Sequence, residues 1–102
     1  MPSVFEAVAD PTRRGILARL RSGEPLSVSE ISARLPITRQ AVTKHLDVLR
    51  DAGLVRVRWE GRQRLHELDA RPLQQVDEWL EPYATFWDDA LGRLERHLKE
   101  NP

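Results

Sequence analysis

The sequence predicts a mainly α-helical fold with a small β-hairpin, about five helices and two strands. Three observations carry this expectation. Apolar residues recur at helical spacing through most of the chain, and one stretch after Gly53 alternates with period two. Two helical segments are also separated by only the three residues Pro36-Ile37-Thr38, a helix-turn-helix in outline.

At 102 residues the chain has the length of one domain, expected to span residues 1–102, and is short for a two-domain enzyme that closes on its substrate. With 40% hydrophobic and 31% charged residues it reads as globular. Its apolar runs are far shorter than the roughly 20 residues of a membrane helix. The N-terminus shows no basic patch followed by an apolar stretch, so a cytoplasmic location without membrane attachment is expected. The absence of cysteine excludes disulfides, thiolate chemistry and Cys-ligated metal sites.

Taken in order, Val4, Phe5 and Val8 form a short apolar face, expected to be a first helix within residues 1–9. Asp10-Pro11 starts the second, since Asp caps exposed backbone N–H groups and Pro suits the first helical position. Ile16, Leu17 and Leu20 follow at helical spacing; Gly23 and Pro25 end the segment, and Gly15 within it points to a close helix contact. Ser27 and Glu30 form a capping-box pattern ahead of Val28, Ile31 and Leu35, predicting a helix that stops before Pro36. Thr38 would cap the next helix and Gly53 would end it.

On a wheel of about 100° per residue, Val42, Leu46 and Leu49 centre an apolar arc of this fourth helix. Arg39, Gln40, Thr43, Lys44, Asp47 and Arg50 fall on the other arc, so its N-terminal half offers long hydrogen-bonding side chains. Val55, Val57 and Trp59 then alternate with Arg56, Arg58 and Glu60, predicting a half-buried strand. Gly61-Arg62 marks the turn and Gln63–Leu68 the return strand, whose weak alternation leaves its register open. From Pro72 to Lys99, Leu73, Val76, Leu80, Tyr83, Trp87, Leu91, Leu94 and Leu98 step by three or four residues. This reads as one helix kinked at Pro82, about 40 Å long. A domain this small cannot cover such a stripe, with Trp79 and Phe86 on its flank, so a second copy of the chain is its simplest cover.

The 16 basic and 16 acidic residues cancel overall but not locally. Residues 34–64 hold eight basic and three acidic side chains, a net +5, whereas residues 77–100 hold three and seven, a net −4. Such asymmetry between segments hints at a polyanionic partner. A helix with the polar face of residues 39–44 fits the major groove, where Arg reads guanine and Gln reads adenine through paired hydrogen bonds. The hairpin would place Arg62 and Arg64 on phosphates or in the minor groove.

Catalytic patterns are missing. His66-Glu67-Leu68-Asp69-Ala70 matches a zinc-protease motif for two residues only, with Ala70 where the second His belongs. The glycines stand singly, so no phosphate loop is present, and no nucleophile motif frames the Ser, His and Asp residues. No catalytic residue, no metal ligand and no cofactor is expected. The aromatic residues at helical spacing read as core or interface.

The motifs Asp10-Pro11-Thr12-Arg13-Arg14-Gly15-Ile16-Leu17, Ile37-Thr38-Arg39-Gln40-Ala41-Val42-Thr43-Lys44-His45-Leu46, Leu49-Arg50-Asp51-Ala52-Gly53-Leu54-Val55 and Gly61-Arg62 resemble those of the ArsR-type winged-helix repressors of bacteria. The resemblance covers essentially the whole chain. The tail from Trp79-Leu80-Glu81-Pro82-Tyr83 to Phe86-Trp87 is similar to the cysteine-free subgroup described as autorepressors. It implies a winged helix-turn-helix fold and a homodimer built on residues 1–9 and 72–99 that binds double-stranded DNA at a two-fold symmetric operator. The implied DNA-binding residues are Thr38, Arg39, Gln40, Thr43, Lys44, Arg62 and Arg64. Those implied at the dimer interface are Val4, Phe5, Trp79, Tyr83, Phe86, Trp87, Leu91 and Leu94. Metal sensing does not carry over, because the family's arsenic and cadmium sites need Cys and its zinc sites need clustered His and Asp, where only His97 is present. No residue names a small-molecule effector. The alternative function is a protein-interaction module that docks a partner on the long aromatic helix.

Overall fold

The computed structural model describes residues 1–100, with side chains placed through Leu91. In chain order the elements are α1 (Val4–Val8), α2 (Pro11–Leu20), α3 (Val28–Ser32), α4 (Arg39–Asp51), β1 (Val55–Glu60), β2 (Gln63–Leu68) and, after a 3-10 turn at Arg71–Leu73, α5 (Gln74–Glu100). The first four helices each begin on a short oxygen-bearing side chain that accepts a backbone N–H three residues on. Ser3 takes Glu6 at 3.1 Å, Asp10 takes Arg13 at 2.9 Å, Ser27 takes Glu30 at 3.2 Å and Thr38 takes Ala41 at 3.1 Å. Each cap contributes about 1 kcal/mol and sets a helix start to the residue. Glu30 returns the bond at α3 by accepting from the Ser27 N–H at 3.0 Å, which completes the capping box and holds its carboxyl below the usual range.

The core lies between α2, α3, α4 and the base of the hairpin. Ile16 and Leu20 of α2, Ile31 of α3, and Val42, Leu46 and Leu49 of α4 close on Leu54 and Val55, and all are buried. Gly15 does not serve the close helix contact expected of it: a Cβ there would stand 3.7 Å from Leu35 Cδ2, an ordinary van der Waals distance that leaves room for a side chain. α4 ends in a Schellman motif: Gly53 has φ +81°, its N–H donates to Arg50 O at 2.9 Å and the Leu54 N–H to Leu49 O at 2.9 Å. The chain is thereby turned into β1.

Two expectations about elements are corrected. Helix α3 stops at Ser32 and not at Leu35, because the next residues tighten to i→i−3 bonds, Arg34 N–H to Ile31 O and Leu35 N–H to Ser32 O. Pro36 has no N–H to continue the ladder, and the Ser32 hydroxyl donates to Ile37 O at 3.2 Å. The connection to α4 is therefore longer than three residues. Pro72 lies in the 3-10 turn, so α5 starts at Gln74, and it runs through Pro82 as one element.

The hairpin is antiparallel, with Val57 opposite His66 and Trp59 opposite Arg64. Gly61 has φ +63°, the left-handed value that a two-residue II′ turn needs at its first position. The weak alternation of β2 has a structural cause: its far edge bridges Leu26, with His66 and Leu26 exchanging N–H···O bonds of 2.8 and 3.0 Å. Both Leu65 and His66, which point to opposite faces, are thus buried. His66 Nδ1 also lies 3.2 Å from Leu26 O, a carbonyl that can only accept, so Nδ1 carries the hydrogen.

Side-chain bonds secure two junctions, α1 to α2 and β2 to α5. At the N-terminal end, Arg13 donates to the α1 carbonyls of Ala7 (2.8 Å) and Glu6 (2.9 Å), and Arg14 to that of Val8 (2.9 Å). These arginines satisfy the open C-terminal end of a five-residue helix that lacks a length to stand alone. Between β2 and α5, Asp69 accepts a forked pair of bonds from the Arg71 guanidinium, the shortest 2.7 Å, and the Arg71 N–H at 3.1 Å. These donors lower the Asp69 carboxyl to about 2.

Candidate nucleic-acid interface

Helix α4 is divided lengthwise. Val42, Leu46 and Leu49 anchor it in the core, which leaves Arg39, Gln40, Thr43 and Lys44 exposed on the other side. The outward set spans about 7.5 Å of helix, the reach of two to three base steps. Thr38 is exposed and its oxygen is occupied by the Ala41 N–H, but its own hydroxyl hydrogen remains available to a phosphate. The Arg39 and Gln40 N–H groups, in the first turn, have no intrachain acceptor among the described residues, which gives this end of α4 the polarity that favours anions. The Thr43 hydroxyl donates to Arg39 O at 3.0 Å, so toward a base edge Thr43 presents its methyl group and an acceptor oxygen.

The eight basic residues of this segment divide into two groups. Arg50 sits 3.7 Å from Asp47 and 3.6 Å from Asp51, and Arg58 sits 3.4 Å from Glu67 and 3.8 Å from Glu60, so these two are neutralised locally. Arg34, Arg39, Lys44, Arg56, Arg62 and Arg64 have no carboxylate partner among the described residues. Arg62 is exposed at the hairpin tip, while Arg64 is half-buried one step back, on the strand face it shares with Trp59.

That tryptophan departs from the sequence expectation. Trp59 continues the face of Val55 and Val57, yet it is 64% exposed. The hairpin grows outward from the core, and the core ends below this step. Strand alternation fixes which side Trp59 is on but carries no information about how far the neighbouring helices extend. Arg34 and Arg56, counted in the basic segment but not named as contact residues, are exposed and without a carboxylate partner among the described residues, and Arg56 lies on the hairpin face opposite Trp59 and Arg64.

The proposed pairing surface lies elsewhere. Trp79 meets Phe5 edge-on at 6.0 Å and Tyr83 at 5.7 Å, so α1 and α5 share one aromatic face. Phe5, Trp79, Tyr83, Phe86, Trp87 and Leu91 are all exposed, Phe86 by 70%. Val4 is corrected: it is 4% exposed, packed in its own core, because on a helix this short only one side faces away. Leu94, like His97 and Leu98, lies outside the residues whose side chains are described. Among the described residues, no group of three His, Cys, Asp or Glu side chains could hold a metal ion, and no helix is long and apolar enough to cross a membrane.

Comparison with known proteins gives the same picture. The helix-turn-helix domain family HTH_20 matches residues 8–58. The HTH-type transcriptional regulator Rv2034 of Mycobacterium tuberculosis is 42% identical over 87 residues, covering 85% of this chain and 78% of that protein. The transcriptional repressor SdpR of Bacillus subtilis is 29% identical over 91 residues, covering 89% of this chain and all of the relative. The structure of an ArsR-like transcriptional regulator from Rhodococcus sp. RHA1 superposes with a TM-score of 0.72 at 33% identity, covering 97% of this chain and 90% of that one. All are regulators and none is an enzyme. The chain belongs to the ArsR family of winged helix-turn-helix, DNA-binding transcriptional regulators.

Proposed function

We propose that the protein is a cytoplasmic homodimeric repressor that occludes a promoter by binding a two-fold symmetric operator, without sensing a metal. One observation carries the reading: α4 is locked in the core on one side and turns Arg39, Gln40, Thr43 and Lys44 outward on the other. A helix held this way can enter a major groove without losing its cover. In this reading Arg39, Gln40, Thr43 and Lys44 read base edges, and Thr38, Arg62 and Arg64 hold phosphates. The name of the relative SdpR supports repression. The lack of cysteine supports a protein without a thiolate metal site.

The dimer rests on Phe5, Trp79, Tyr83, Phe86, Trp87 and Leu91, with Leu94 continuing the stripe in sequence. Adjoining exposed aromatics of this extent are the mark of a protein interface. Residues 1–9 and 72–99 are its two contributing segments, and two-fold pairing of the chains matches a two-fold operator.

The test is selection of bound genomic fragments, followed by titration of the selected duplex. The double variant Gln40→Ala/Lys44→Ala should lose on the order of 100-fold in affinity for it, about 3 kcal/mol, while binding of unrelated duplex changes little. Selection that returns no preferred duplex, or a double variant that binds as tightly as the parent, refutes the reading.

A further inference from the structure

Helix α2 has two working faces. Ile16 and Leu20 enter the core, whereas Arg14, Leu17, Ala18 and the C-cap residue Arg21 are spaced three, one and three residues apart and share a second face. That second face forms one wall of an open groove of about 410 Å³. The facing wall comes from Val8 at the end of α1, Leu68 at the end of β2, and Leu73 and Val76 leading into α5. The lining is almost wholly hydrocarbon, and its only charged residues are Arg14 and Arg21. They stand one turn to either side of Leu17-Ala18, about 10 Å apart along the helix. Arg14 gives one amino group to Val8 O, and neither arginine has a carboxylate partner among the described residues.

We propose that this groove binds a small amphipathic organic anion, a carboxylate whose apolar body is about 8–10 Å long, and that its occupancy adjusts DNA binding. The volume falls in the range of small-molecule sites. Two arginines without carboxylate partners among the described residues, beside an apolar lining, favour a negative head over a neutral or positive one. The groove also joins the elements that matter. Its walls take in α1 and the start of α5, which carry the aromatic face, α2, which packs on α4, and β2, which leads from the hairpin tip. A ligand seated there bears on the relative placement of both surfaces, and this regulatory half rests on the DNA-binding reading above.

The probe is octanoate, titrated calorimetrically into the full chain, with octylammonium and octanol as partners of equal length. Octanoate should bind saturably, the other two at least about tenfold more weakly, and Arg21→Gln should weaken octanoate by about tenfold. Ala18→Phe, at an exposed position, should fill the groove and abolish binding while leaving the melting temperature in place. Saturating octanoate should change duplex affinity by at least about fivefold in the parent and not in Ala18→Phe. No saturable octanoate binding, equal binding of octylammonium, or binding that survives Ala18→Phe would overturn the site. So would dissociation of a sedimenting dimer by Ala18→Phe, since a second copy would then occupy the groove. Octanoate binding without any change in duplex affinity overturns the regulatory role. Failure of the parent to bind any duplex overturns the DNA-binding reading and leaves the calorimetric result standing.

Discussion

Helices α4 and α5 are built on the same plan, an apolar stripe along a polar helix, yet they end in opposite situations. The α4 stripe of Val42, Leu46 and Leu49 is sealed by α2, α3 and β1, so every fully exposed residue of α4 is polar. The stripe of α5 finds cover within the chain only toward its start, at Val76 and in part at Leu80, and Trp79, Tyr83, Trp87 and Leu91 stand exposed. Amphipathicity thus states that a helix will be covered, not by what. α4 is stabilised by its own chain and presents polar side chains outward, whereas α5 leaves aromatic and apolar side chains exposed.

Substitutions that exchange these situations test the contrast. The largest effect is expected at Leu46, where truncation to Ala leaves a buried cavity and should cost about 2–5 kcal/mol of folding stability in urea denaturation. A loss under about 1 kcal/mol would mean that α4 is not sealed as described. Next, Tyr83→Ala/Trp87→Ala should leave the fold standing but weaken self-association by on the order of 100-fold in sedimentation, the scale of two aromatic interface anchors. A parent protein that sediments as a monomer at every concentration would remove the dimer altogether.

At the other surface, Arg62→Ala should weaken all duplexes alike, by several-fold, and lower the slope of log affinity against log salt by about 1. An unchanged slope would take the hairpin tip off the phosphates. The smallest effect concerns His66, whose burial holds its pKa below the ordinary 6.5. The unfolded chain therefore binds a proton that the folded chain refuses. Stability should be complete above about pH 6.5 and fall as pH drops through that value toward the lowered folded pKa. His66→Gln should flatten this dependence in urea midpoints taken between pH 7.5 and 5.5; equal slopes in parent and variant would refute it.

Much of the fold is legible locally. Asp10, Ser27 and Thr38 act within four residues of themselves, and Gly53 and Gly61 supply left-handed backbone where each segment must turn. The outward set on α4 follows from helical spacing alone, so its exposed face matches the expectation. Trp59 and Val4 do not, because period-two and period-3.6 patterns name a side of an element and leave its depth unstated. Nor does the pattern of β2, whose far edge pairs with Leu26, forty residues earlier in the chain. The groove beside α2 was equally hidden, since its walls come from four separate parts of the sequence.

By itself the sequence determined where helices and strands begin and end to within a few residues, which side of each is apolar, and that the neutral chain divides into a basic and an acidic segment. These depend on interactions between near neighbours, and near neighbours are adjacent in sequence. Tertiary structure decided which apolar faces are closed and which remain open, which arginines are spent on carbonyls or carboxylates, and where a cavity forms. Those outcomes depend on how far each element extends beyond the others it packs against, a length no local pattern encodes.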